Sequence, residues 1–129
     1  MELSTGGAAV RTLLNAGDWM LWILFFASGV YGHLALKLAV GSSPLEKPQA
    51  LLRACTGAWG LTAFSAWALS AGLWMLLLSR HSLARANAIS ALGSLLLSLS
   101  AWLLLHEAWT WSKTLGAVLV AAGIYLVAS

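Results

Sequence analysis

The stretch "WMLWILFFASGVYGHLALKLAV", residues 19–40, decides how the rest of the chain is read. It carries no charge before Lys37, and its run of about 22 residues exceeds the roughly 20 that a helix needs to cross a hydrocarbon core. It does not read as a cleaved signal peptide. Residues 1–18 hold Glu2, Arg11 and Asp18 instead of a basic leader, and the apolar run is too long for a signal-peptide core. The expectation is a first transmembrane helix behind an interfacial or disordered leader, residues 1–18. Composition agrees: 60% of the 129 residues are hydrophobic and 9% charged, against about 45–50% and about 25% in soluble domains. So short a chain cannot hide that much apolar surface within itself, so the surplus must face lipid or another subunit.

Three further stretches have the same character. Lipid forces every backbone group to pair internally, which leaves helices as the expected form. The reading is one all-α membrane domain, residues 19–129, with four transmembrane helices at about 19–41, 54–79, 82–105 and 111–128. The breaks are short: "GSSPLEKPQA" (41–50), "SRHS" (79–82) and "HEAWTWSK" (106–113). Several of the eight tryptophans (Trp19, Trp22, Trp109, Trp111) sit near span ends, where indoles favour the headgroup layer. Four spans put both ends of the domain on one side. Lys37, Lys47, Arg53 and Lys113 then fall on one face of the membrane, and Arg11, Arg80 and Arg85 on the other. That balance leaves the orientation open.

The polar residues inside these runs need a reason to be there. Gly29, His33 and Lys37 recur every four residues and share one helix face. Two readings stand. Lys37 snorkels to headgroups while His33 bonds a neighbouring helix, or the stripe lines a polar cavity for a ligand, with Gly29 leaving room. Glu107, at the entry to the fourth helix, either complements the helix dipole or neutralises Lys37. At the third helix Ser82 is a candidate N-cap. Arg85 lies where the dipole disfavours a cation, so it reads either as a headgroup contact or as part of an anion site. Asn87, one turn further, is expected to face the bundle and to bond a partner or ligand.

Other chemistries find no footing. "HEAWT" lacks the second histidine of a zinc-protease motif. Paired carboxylates within the spans, a nucleophile elbow and a phosphate-cradling glycine loop are all missing from the sequence, so no enzyme, metal or cofactor is expected. Cys55 is a lone cysteine and reads as a packing residue. A net charge of +3 spread along the chain gives no nucleic-acid footprint. In the last helix, Gly116 and Gly123 lie seven apart among alanines, a smooth strip suited to a helix–helix dimer interface.

Taken together, four helices, Gly32-x4-Lys37, Glu107 ahead of the fourth helix and Gly116-x6-Gly123 resemble the small multidrug resistance branch of the drug/metabolite transporter superfamily. Within that branch, "GHLALK" (32–37), "LHE" (105–107) and "GAVLVAAGIYL" (116–126) are most similar to the small flippase subunits for aminoarabinose-phosphoundecaprenol. The similarity runs from about residue 19 to 128. Drug-exporting members carry a glutamate where this chain has Gly29, the usual glutamine is His33, and the usual Ala-Tyr is Ala86-Asn87. Histidine, unlike glutamine, titrates near neutral pH.

The resemblance implies a multi-pass protein of the bacterial inner membrane, working as a homodimer or as a heterodimer with a related four-helix subunit. Its implied substrate is a polyprenyl-phosphate-linked sugar or related anionic glycolipid, flipped across the membrane among its lipids. His33, Lys37, Arg85, Asn87 and Glu107 would bind that substrate, with Lys37 and Arg85 as successive phosphate stations. Alternatives are export of small cations or metabolites and a non-transporting subunit of a larger complex.

Overall fold

The computed structural model describes residues 17–41 and 46–128, all helices and short connections with no strand among them. In chain order the helices are α1 (Asp18–Val40), α2 (Pro48–Thr56), α3 (Ala58–Arg80), α4 (Leu83–Ser90), α5 (Leu92–Leu105) and α6 (Trp111–Ala128). Three stretches of 23 residues are long and apolar enough to cross a membrane: α1, α3, and α4 with α5 taken as one span, Leu83–Leu105. At 1.5 Å per residue each reaches about 35 Å. α6 is also apolar, and its 18 residues reach about 27 Å.

The expected leader, residues 1–18, falls almost wholly outside the described residues. Its last member, Asp18, is instead the first residue of α1 and is buried. Two further boundaries differ from the sequence reading. The connection after α1 is not all loop: Pro48 opens α2, a nine-residue helix that ends at Thr56. The second span accordingly begins at Ala58, not at residue 54. Gly57, extended at φ −68°, ψ 164°, separates the two helices. Gly60 lets them turn closely, since a Cβ there would strike the Ala54 carbonyl.

The third span is interrupted at Ala91. Ser90 Oγ donates to the Asn87 carbonyl (2.8 Å) and Ser94 Oγ to the Ala91 carbonyl (2.7 Å), acceptors that the helix ladder also uses. The Ala91 N–H reaches that same Asn87 oxygen at a long 3.2 Å. Competition of this kind loosens and bends a helix. Ala91 itself keeps helical dihedrals (φ −61°, ψ −23°).

Packing is concentrated on α1 against α3, at the end of the molecule where α1 begins. Trp22, Leu77 and Ala86 form the buried cluster, with Phe25, Phe26, Trp74 and Ile89 packed on it. Trp22 stacks on Phe26 (5.8 Å between centroids) and Phe25 on Trp74 (5.4 Å). Such pairs add to plain burial of area. Midway along, α1 meets α3 through Gly32, where a Cβ would stand 2.5 Å from Trp67 Cδ1 and 3.3 Å from the Ala63 carbonyl oxygen. α5 buries none of its residues. Leu103, Leu104, Leu115, Leu119 and Tyr125 are all more than half exposed, a surface that only lipid or another chain can cover.

Gly32→Ala should cost about 1–3 kcal/mol, the usual penalty for overpacking. Gly72→Ala, where a Cβ would meet nothing within 4 Å, should be close to neutral. Thermal unfolding of the two variants in one detergent compares them directly.

Candidate functional site

The packed end of the bundle is locked by charge. Arg80 Nη1 donates to Asp18 Oδ1 at 2.7 Å, joining the last residue of α3 to the first of α1. His81 Nε2 stands 3.5 Å from Asp18 Oδ2, and its ring lies 6.0 Å from Trp22. The carboxylate side chain is 11% exposed and that of Arg80 52%, so the contact is shielded on the Asp18 side only. Sequence reasoning missed it, because Asp18 and Arg80 are 62 residues apart and Asp18 reads as part of a polar leader.

Toward the other end, α1 and α5 part and leave a groove. Its inner section is a cavity of about 330 Å³ between Phe25, Gly29 and His33 of α1, Trp67 and Ser70 of α3, and the Ser90–Ser94 bend. Its outer section, about 370 Å³, runs past His33 and Lys37 to Ser98, Glu107 and Lys113. The sections share His33 and Leu97 in their walls and so adjoin, with His33 between them on α1. The His33 ring meets Trp67 edge-on at 5.2 Å, and among the described residues it shows no side-chain hydrogen bond to a neighbouring helix.

Lys37 and Glu107 come together, as one of the two readings of Glu107 requires. Their charged atoms are 3.8 Å apart, and the side chains are 59% and 41% exposed. The turn that brings Glu107 there depends on His106, the one non-glycine residue with positive φ among those described (φ 51°, ψ 32°). It ends α5 and lets the Glu107 N–H reach back to the Ala101 carbonyl at 3.3 Å. Lys113 Nζ donates to the Ala108 carbonyl at 2.9 Å, fixing the second lysine at the groove mouth. Lys37, Lys113 and Glu107 sum to one positive charge there, favourable to an anion.

The remaining candidates lie elsewhere. Arg85 and Asn87 are exposed on α4 and line neither section of the groove. The expectation that Asn87 faces the bundle is thus corrected: the face of α4 turned inward is that of Ala86, which is fully buried. Ser82 occupies the N-cap position without a side-chain capping bond. Gly29 lines the inner cavity, but a Cβ there would make an ordinary contact, 3.6 Å from Ser70 Oγ. Gly116 and Gly123 have nothing within 4 Å of where a Cβ would sit, so their face of α6 is open. Gly116 also borders a third cavity of about 380 Å³ between α5 and α6, which meets the groove at Ser98 and Lys113.

Sequence reasoning missed the serines of the groove wall. Ser90, Ser94 and Ser98 are four apart and face α1, a periodicity visible in the sequence once it is sought. Among the described residues no group of three or more His, Cys, Asp or Glu side chains could hold a metal ion. Comparisons with protein-family models, curated proteins and solved structures find no match to this chain.

The two ionic contacts should differ in strength. A double-mutant cycle on Lys37 and Glu107 is expected to give less than about 1 kcal/mol, the value of an exposed pair. Asp18→Asn, which weakens a part-buried charged hydrogen bond, should lower unfolding stability by about 1–2 kcal/mol, less than a fully buried pair because Arg80 is screened by solvent.

Proposed function

We propose that the chain is a translocator of a polyprenyl-phosphate-linked sugar or related anionic glycolipid across the bacterial inner membrane. The observation that carries this reading is the groove itself. It leads from a serine-lined cavity at mid-membrane depth to a mouth with two lysines and one carboxylate. A phosphate is drawn to Lys37 and Lys113, and it can displace Glu107 from its loose contact with Lys37. Sugar hydroxyls find partners in His33 and the serines, while a long prenyl tail remains in the lipid that the exposed leucines already require.

One chain encloses the groove only in part, so the working unit is proposed to be a dimer, identical or with a related subunit. The bare strip at Gly116 and Gly123 is the proposed contact. Arg85 then serves as a phosphate station only if the partner brings it to the groove. The resemblance noted in the sequence supports the same class of substrate. The groove has no carboxylate at mid-membrane depth among the described residues, which weighs against export of lipophilic cations.

The test is reconstitution in vesicles holding a fluorescent prenyl-phosphate sugar. Wild-type protein should move it between leaflets, and Lys37→Ala should slow it about ten- to a hundredfold, the effect of losing a charged hydrogen bond of about 1.5–3 kcal/mol. Ethidium efflux without lipid movement would favour the cation exporter instead. Normally inserted Lys37→Ala protein with unchanged lipid transport would overturn the proposal.

A further inference from the structure

α2 lies beyond the end of α1 and bears a second, separate cationic site. A crevice of about 420 Å³ opens between the two helices, walled by Ala39 and Val40 of α1 and by Lys47, Gln49, Ala50 and Arg53. Its place is fixed by α1: Ala39 and Val40 end a membrane-spanning helix, so the crevice lies at headgroup depth. The other described cations of this end are occupied, Lys37 by Glu107 and Lys113 by the Ala108 carbonyl. The side chains of Lys47 and Arg53 have no such partner among the described residues, and both are exposed. Glu46, also exposed, offsets one of the two charges and leaves the site positive.

The same nine residues carry an apolar face. Leu51 and Leu52 are 50% and 64% exposed, while Ala54 is buried against the rest of the fold. A short helix that bares leucines and carries cations at its start and on its crevice side settles in the plane of the membrane surface, leucines among acyl chains. We infer that α2 is a docking site for an anionic phospholipid of the bilayer, whose phosphate is held in the crevice by Lys47 and Arg53. A soluble phosphate would match the cations but leave Leu51 and Leu52 without a role; a lipid engages both. The site is independent of the groove, since it shares no residue with either section.

The experiment uses the full chain in nanodiscs of mixed phosphatidylglycerol and phosphatidylcholine, with native mass spectrometry reading the lipids retained. Wild-type protein should keep phosphatidylglycerol in preference to phosphatidylcholine. The double variant Lys47→Gln, Arg53→Gln should lose at least about fivefold of that preference, the contribution of a single basic residue at an anionic surface. Arg53→Lys should retain most of it, which separates loss of charge from misfolding. The double variant should leave prenyl-phosphate transport unchanged, so this inference and the transport proposal fail separately. Two results would each overturn the assignment: an unchanged preference in the double variant, or displacement of the lipid by an equal concentration of inorganic phosphate.

Discussion

Because Gly32 has no Cβ, the Trp67 indole lies directly against the α1 backbone, and the two longest helices of the fold are drawn together at that point. In lipid, apolar surface gives helices no reason to prefer one another over acyl chains, so association depends on close packing and polar contacts. Here both are present. The indole at Gly32 supplies the close contact, and the Asp18–Arg80 pair fixes the register at one end. α5 approaches α1 closely at Gly93, where a Cβ would stand 3.4 Å from Phe26 Cδ1, and the groove runs beside that contact. The groove is thus a by-product of where packing stops.

The spans could be read directly from composition, since a bilayer imposes its thickness on any helix that crosses it. The pairing of Lys37 with Glu107 was also within reach, because both residues lie at the same end of neighbouring spans. Other features were hidden for physical reasons. α2 is too short to show a clear period, and two prolines and a glutamate near its start give it the look of a loop. The bend at Ala91 depends on serine hydroxyls competing for carbonyls, which leaves no mark on an apolar profile. The facing of Asn87 is not legible, because one helix gives no sign of which face its neighbours cover; Ala86 beside it holds the buried position.

The two ends of the bundle treat charge in opposite ways. At the Asp18 end an arginine and a histidine surround one largely buried carboxylate, and an aromatic cluster seals it. At the Glu107 end the pair is long and half-exposed, with a second lysine nearby and a left-handed turn beneath it. The first arrangement holds helices in place. The second leaves charges free to change partners.

The hydroxyls of the groove wall have one more consequence. Ser90, Ser94 and Ser98 each give their proton to a carbonyl of their own helix. What remains for a guest on that wall is lone pairs, whereas the opposite wall offers the ammonium protons of Lys37. A passage with acceptors along one side and donors along the other orients whatever enters it, because a molecule rotated half a turn about its long axis would meet like with like.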